Sequence, residues 1–167
     1  MFRIFLGLAC LCVALILAEV GLGIAISRFD AHSLITVHLL TGIFAAIFIC
    51  LLHTVTMFHL IGTQKDMKDA SKDLPEHGEI VQAIRALKSR IFPIATLAIA
   101  VTIAAEVSGG GAHTGDWPSW IHPTLAVLAL VVNAYAFAME YIGVKANLIL
   151  LNLVDYRLEH GELPKHE

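Results

Sequence analysis

Residues 122–147 read HPTLAVLALVVNAYAFAMEYIGVKAN. The run is apolar over more than a membrane's thickness, and its polar breaks are ordered. His122, Asn133, Glu140 and Asn147 are spaced eleven, seven and seven residues apart. Successive residues of a helix turn by about 100°, so the four side chains fall within about 20° of one direction. Ala126, Ala129 and Ala136 lie along the same seam, where small residues let neighbouring helices approach. An apolar perimeter with one polar seam predicts a membrane span whose seam faces other protein.

Three further stretches have the same character. A bilayer core of about 30 Å takes about 20 helical residues, and spans are predicted over about 3–27, 33–62, 90–107 and 117–153. The chain of 167 residues is only 15% charged, with mean hydropathy +0.77; a soluble domain carries about 25% charge. The reading is all-α: a polytopic membrane protein, one membrane domain over 1–167, folded as an up-down bundle of four transmembrane helices. Asp30 or Ser33 is expected to cap span two, and Asp116 to cap span four ahead of Trp117-Pro118, proline being well placed at a helix start. Span three is expected to end at Val107, before the helix-breaking run Ser108-Gly109-Gly110-Gly111.

The first span imitates a signal peptide, with Arg3 before an apolar run over 5–26. That run exceeds the usual signal core of about 7–15 residues and no A-x-A-like site closes it, so a retained span is expected. Cys10, Cys12 and Cys50 show no metal-binding spacing and read as small buried hydrophobes.

Lysine and arginine placement predicts orientation. The link over 63–89 and its border hold Lys65, Lys68, Lys72, Arg85, Lys88 and Arg90; Arg3, Lys145, Arg157 and Lys165 fall on the same side, against Arg28 on the other. Both termini, including the tail over 154–167, are therefore expected in the cytoplasm, of a bacterial inner membrane. Trp117 and Trp120 suit an outer aromatic belt. Within the link, Ile80, Val81, Ile84, Leu87 and Ile91 recur at helical spacing, which predicts a short amphipathic helix on the membrane or an inward extension of span three.

Each of the other spans also carries a polar stripe. Span one offers Cys12, Glu19 and Gly23; span two His38, Gly42, Ala45, Ile49, His53, Thr56 and His59; span three Ala95, Thr102 and Glu106. Charged residues at a helix centre in a bilayer are unfavourable by about 2.5–3.5 kcal/mol on insertion scales, and they mark functional sites. Depth sorts them into two levels about 20–25 Å apart. Glu19, His38, Glu106 and His122 form an outer group. His53 and Glu140 share an inner level with Thr56 and Tyr141 close by, and His59 lies close to the inner surface.

Three chemistries suit such an interior. Two imidazoles from parallel helices can hold a b-type haem axially, which assigns His38 and His122 as iron ligands, with Glu19 and Glu106 beside the cofactor and Gly42, Ala45 and Ala126 leaving room for the ring. The same two His and two Glu could instead hold Fe, Cu or Zn directly; the Glu-x-x-His pattern of di-iron bundles is absent within the spans, so one ion is expected. A proton or quinone site could draw on His53, His59, Asn133, Glu140 and Tyr141. In size and layout the chain is similar to small membrane-anchor and cytochrome b subunits of respiratory complexes, although span one lacks the histidine that many two-haem four-helix cytochromes carry. The expectation is an electron carrier holding one haem b, with quinone contact, inside a larger respiratory or photosynthetic complex. A non-catalytic accessory subunit and a His/Glu metal protein are the alternatives. The expected partners are lipid and other membrane subunits, with no nucleic acid, and no loop is long enough for an independent enzyme domain.

Overall fold

The computed structural model describes residues 2–29 and 31–161. Helix α1 covers Phe2–Phe29, a single 3-10 turn His32–Leu34, α2 Ile35–Ala70, α3 His77–Thr114 and α4 Ile121–His160. All four α-helices are long and apolar enough to cross a membrane. Asp30, expected as a cap, lies outside the described residues, as does Lys165.

The helices run up and down. The α1–α2 and α3–α4 turns share one end, here the outer end, and the α2–α3 turn marks the inner end. Helix α1 packs on α2 and α4 but not on α3, whereas the diagonal pair α2 and α4 touch. The section is thus a rhombus, with α2 and α4, which carry His38, His53 and His122, along its short diagonal. Helix α1 has 28 residues against 36, 38 and 40 for the others. At 1.5 Å per residue the longer three outreach it by roughly 12–18 Å.

That overreach decides between the two readings of the link. Ile80, Ile84 and Ile91 lie on α3 itself, which extends span three inward, and among the described residues there is no separate amphipathic helix, the connection shrinking to residues 71–76. Ile80 and Ile84 are buried with Met67 and Val154, and Leu74, Leu150 and Leu151 pack around them. Beyond the end of α1 this is a small three-helix core. Ser71 Oγ bonds His77 Nδ1 at 3.0 Å across the turn, and Arg157 pairs with Glu76 to tie α4 to the start of α3.

The outer end departs from expectation too. Helix α3 does not stop at Val107 but continues through the glycines to Thr114. Each glycine in a helix is unfavourable by about 1 kcal/mol relative to alanine, and here contacts outweigh that. A β-carbon on Gly109 would lie 3.0 Å from the His122 ring, and one on Gly111 would lie 2.9 Å from the Trp117 ring. The bare backbone is what lets these rings lie flat on the helix. Gly115, at φ 81°, then ends α3 in the left-handed region that favours glycine. Helix α4 starts at Ile121 rather than at Trp117. Asp116 accepts from Thr114 Oγ1 at 2.6 Å instead of capping α4, and the Ile121 N–H bonds the Pro118 carbonyl. Ser33 does not cap α2 either; Leu34 occupies that position with no side-chain bond.

Helices α3 and α4 pack closely at Gly143, where the end of the Ile91 side chain takes the space a β-carbon would fill. Cys12 is fully buried beside Ile49, Leu52 and Phe137. Cys10 is exposed and Cys50 only partly covered, so burial holds for one of the three cysteines read as core residues.

Candidate functional site

The outer centre takes one side chain from each helix. Glu19 of α1 brings Oε2 to 2.9 Å from Nδ1 of His38 on α2, with the two side chains 18% and 25% exposed. The contact is electrostatic, since its angle leaves Nδ1 without a hydrogen-bond partner. Glu106 of α3 meets Glu19 over Gly42: a β-carbon there would lie 2.8 Å from Glu106 Oε2 and 3.2 Å from Glu19 Oε2. Glycine on α2 is thus the floor on which two carboxylates from opposite sides converge.

His122 of α4 completes the group. Its Nδ1 lies 3.1 Å from the Ala105 carbonyl oxygen and 3.4 Å from Ser108 Oγ, which itself donates to the same carbonyl at 2.7 Å. A carbonyl only accepts, so Nδ1 carries the hydrogen and the lone pair of the neutral ring sits on Nε2. The His38 and His122 ring centroids are 6.1 Å apart, with planes crossing at 68°. Among the described residues, no group of three or more His, Cys, Asp or Glu is arranged to hold a metal ion directly.

The inner centre is drier and more tightly bonded. His53 and Glu140 are both 0% exposed. His53 Nδ1 lies 2.8 Å from Glu140 Oε1, and His53 Nε2 lies 2.9 Å from Asn133 Oδ1. Asn133 Nδ2 donates to the Ala129 carbonyl at 2.8 Å and to Thr102 Oγ1 at 2.9 Å. The bond to Ala129 fixes which way the amide faces, and the rest of the network follows from it. Asn133 must present its oxygen to His53, so His53 Nε2 carries a hydrogen. One further proton must then lie between Nδ1 and Glu140. Phe137 stacks on the imidazole with centroids 5.3 Å apart at 24°. Cys12, from α1, is fully buried in the same apolar cluster as Phe137.

Of the inner residues expected from the sequence, the structure brings His53, Asn133 and Glu140 together and leaves two outside this network. His59 is six residues beyond His53, about 240° around the helix, and its carbonyl accepts from Thr63 Oγ1. Tyr141 is 37% exposed, with Lys145 Nζ 5.3 Å from its ring centroid. Thr56 is buried but bonds its own helix at Leu52.

Four contributors escaped sequence reasoning. Ser108 and the Ala105 carbonyl hold His122, yet their segment reads as a helix end. Phe137 sits four residues after Asn133 and three before Glu140, a spacing that shares a face and could have revealed it. Gln64, 1% exposed, follows His53 by eleven residues, which returns it to nearly the same direction after three turns.

The class that fold and site define is an all-helical four-helix bundle, with four helices of membrane-crossing length around two interior polar centres. Comparison with protein families, curated proteins and solved structures finds no match to the chain.

Proposed function

We propose that the chain is a polytopic membrane subunit that carries electrons through one b-type haem held between His38 and His122. One observation carries the reading: the two imidazoles stand 6.1 Å apart, centroid to centroid, on helices that run the same way. A single metal with a nitrogen about 2 Å away on each side holds ring centroids roughly 6 Å apart. The outer groups also suit ligands. Histidines that bind metal usually anchor the second nitrogen on a carboxylate or a backbone carbonyl, and here Glu19 faces Nδ1 of His38 while Ala105 faces Nδ1 of His122. Haem iron would accept electrons singly, and the flanking carboxylates would favour its oxidised, more positive state.

The proposal extends to setting. Both termini face the cytoplasm of a bacterial inner membrane, and the protein works beside other membrane subunits of a respiratory or photosynthetic complex, with a quinone as the class of mobile carrier. The direct Fe, Cu or Zn site is the weaker reading, since among the described residues the two His and two Glu do not close on one point as an ion's shell.

The test is an absorbance spectrum of the purified, dithionite-reduced protein. A Soret band with sharp alpha and beta bands is expected, lost in His38→Ala and in His122→Ala and kept in His160→Ala. A colourless preparation, or full pigment in both single variants, overturns the assignment. Bound iron, zinc or copper without a haem spectrum would favour the bare ion.

A further inference from the structure

Among the described residues, the buried polar atoms without a hydrogen-bond partner include four from the inner centre inward: Glu140 Oε2, Asn147 Oδ1 and both amide atoms of Gln64. Their residues are at most 1% exposed. They succeed one another toward the inner end. Asn147 lies seven residues inward of Glu140 on the same face of α4, about 10 Å along the axis. Its Nδ2 is fixed on Thr63 Oγ1 at 2.8 Å, and Thr63 is the chain neighbour of Gln64. Buried polar groups are almost always satisfied, and internal water does so where protein groups do not. A file of polar atoms that opens inward from Glu140 is therefore a place for water.

Toward the outer end the arrangement is different. Beyond His53 the next group is Asn133, a carboxamide whose nitrogen is committed to the Ala129 carbonyl and Thr102. A carboxamide holds its hydrogens, whereas an imidazole or a carboxyl exchanges them. Asn133 is the group bonded to His53 on that side, and its carboxamide does not take a proton from His53 and pass it on. The pair itself holds one proton between Nδ1 and Oε1, and it is neutral as a unit whichever atom bears that proton.

We propose that His53 and Glu140 form a proton-holding site with one-sided access, reached from the inner end past Gln64 and Asn147 and closed outward at Asn133. A proton arriving on water is taken up by the pair, which becomes a cation and leaves neutral water; release is the reverse along the same route. The groups that face the pair are Cys12 from α1, the uncharged Thr102 from α3, and Asn133 and Phe137 from α4. The site stands whether or not the outer centre binds haem.

The experiment uses the full chain in vesicles of known orientation, with a pH jump applied on one side. The readout is the infrared carboxyl signal of Glu140, identified by its loss in Glu140→Gln. In the wild type the signal follows pH on the side of the α2–α3 turn. Asn147→Leu and Gln64→Met each slow that response by about tenfold or more, as expected when a proton relay is interrupted, and His160→Ala leaves it unchanged. Should Asn147→Leu fail to fold, Gln64→Met still carries the test, because methionine matches glutamine in length. An unchanged rate in Gln64→Met, a response driven from the outer side, or no signal that Glu140→Gln removes would each overturn the proposal.

Discussion

Gly42 and Glu106 are coupled by what glycine lacks: a β-carbon at position 42 would lie 2.8 Å from the Glu106 carboxylate. The space is shared with Glu19, so one small residue on α2 sets how closely the acids of α1 and α3 approach. The outer centre is thereby defined by backbone as much as by its ionisable groups.

Gly42→Ala tests this. The contacted atoms end flexible side chains, so the carboxylates can yield, and the loss should be near the low end of about 1–3 kcal/mol for overpacking. Gly42→Leu should displace both acids and His38 with them. Denaturant unfolding in detergent reads the first effect, and the pigment-to-protein ratio of the proposed haem reads the second. Full pigment in Gly42→Leu would mean the convergence over Gly42 does not hold the centre.

At Gly143 the end of the Ile91 side chain from α3 occupies the space of the missing β-carbon on α4. Ile91 is 1% exposed and confined on all sides. Gly143→Ala should destabilise by about 1–3 kcal/mol, and Ile91→Val in the same chain should restore part of that, a coupling expected only of residues in contact. Strict additivity in a double-mutant cycle would deny the contact.

The inner pair should respond to substitution asymmetrically. His53→Ala leaves Glu140 buried with no partner and should destabilise by about 3–5 kcal/mol. Glu140→Gln keeps the shape and offers an N–H to His53 Nδ1, so its effect should stay near the net worth of one hydrogen bond, about 1 kcal/mol. Equal losses for the two substitutions, measured by unfolding in detergent, would contradict the bond directions set by Asn133.

At the inner end, Arg157 and Glu76 form an ion pair whose side chains are 11% and 27% exposed. Such partly solvated pairs contribute about 0.2–1 kcal/mol. A double-mutant cycle should return a coupling in that range that shrinks in high salt. Salt-independent coupling would indicate packing of the arginine stem in place of charge.

The two neighbouring thiols of α1 should differ in reactivity. Cys10 is exposed and Cys12 is 0% exposed. A lipid-permeant alkylating reagent followed by mass spectrometry should modify Cys10 and spare Cys12 in the folded protein. Comparable labelling of both would place α1 in a different rotation.

The sequence announces the helices because length and hydropathy are local properties, and it announces the meeting of His53 and Glu140 because an up-down bundle converts residue number into depth. It misleads where tertiary contacts outweigh local preference. Three consecutive glycines read as a helix stop, yet Gly109 and Gly111 stay helical under the His122 and Trp117 rings. Ile80 and Ile84 read equally as a surface helix or an extension of span three, because the sequence does not show that α2 and α4 extend far enough to bury them against Met67 and Val154. The angle on the helix predicts which residues face inward, but not which lone pair a carbonyl such as that of Ala105 will hold in place.

Helix α1 supplies Glu19 to the outer centre and packs its backbone on α2 and α4. The two histidines and Glu106 reside on the other three helices, which also contact one another. Sliding or unseating that first helix would strip one carboxyl group from the imidazole pair. The seating of a single helix thus decides which acid those rings meet, while the rings themselves belong to the other three.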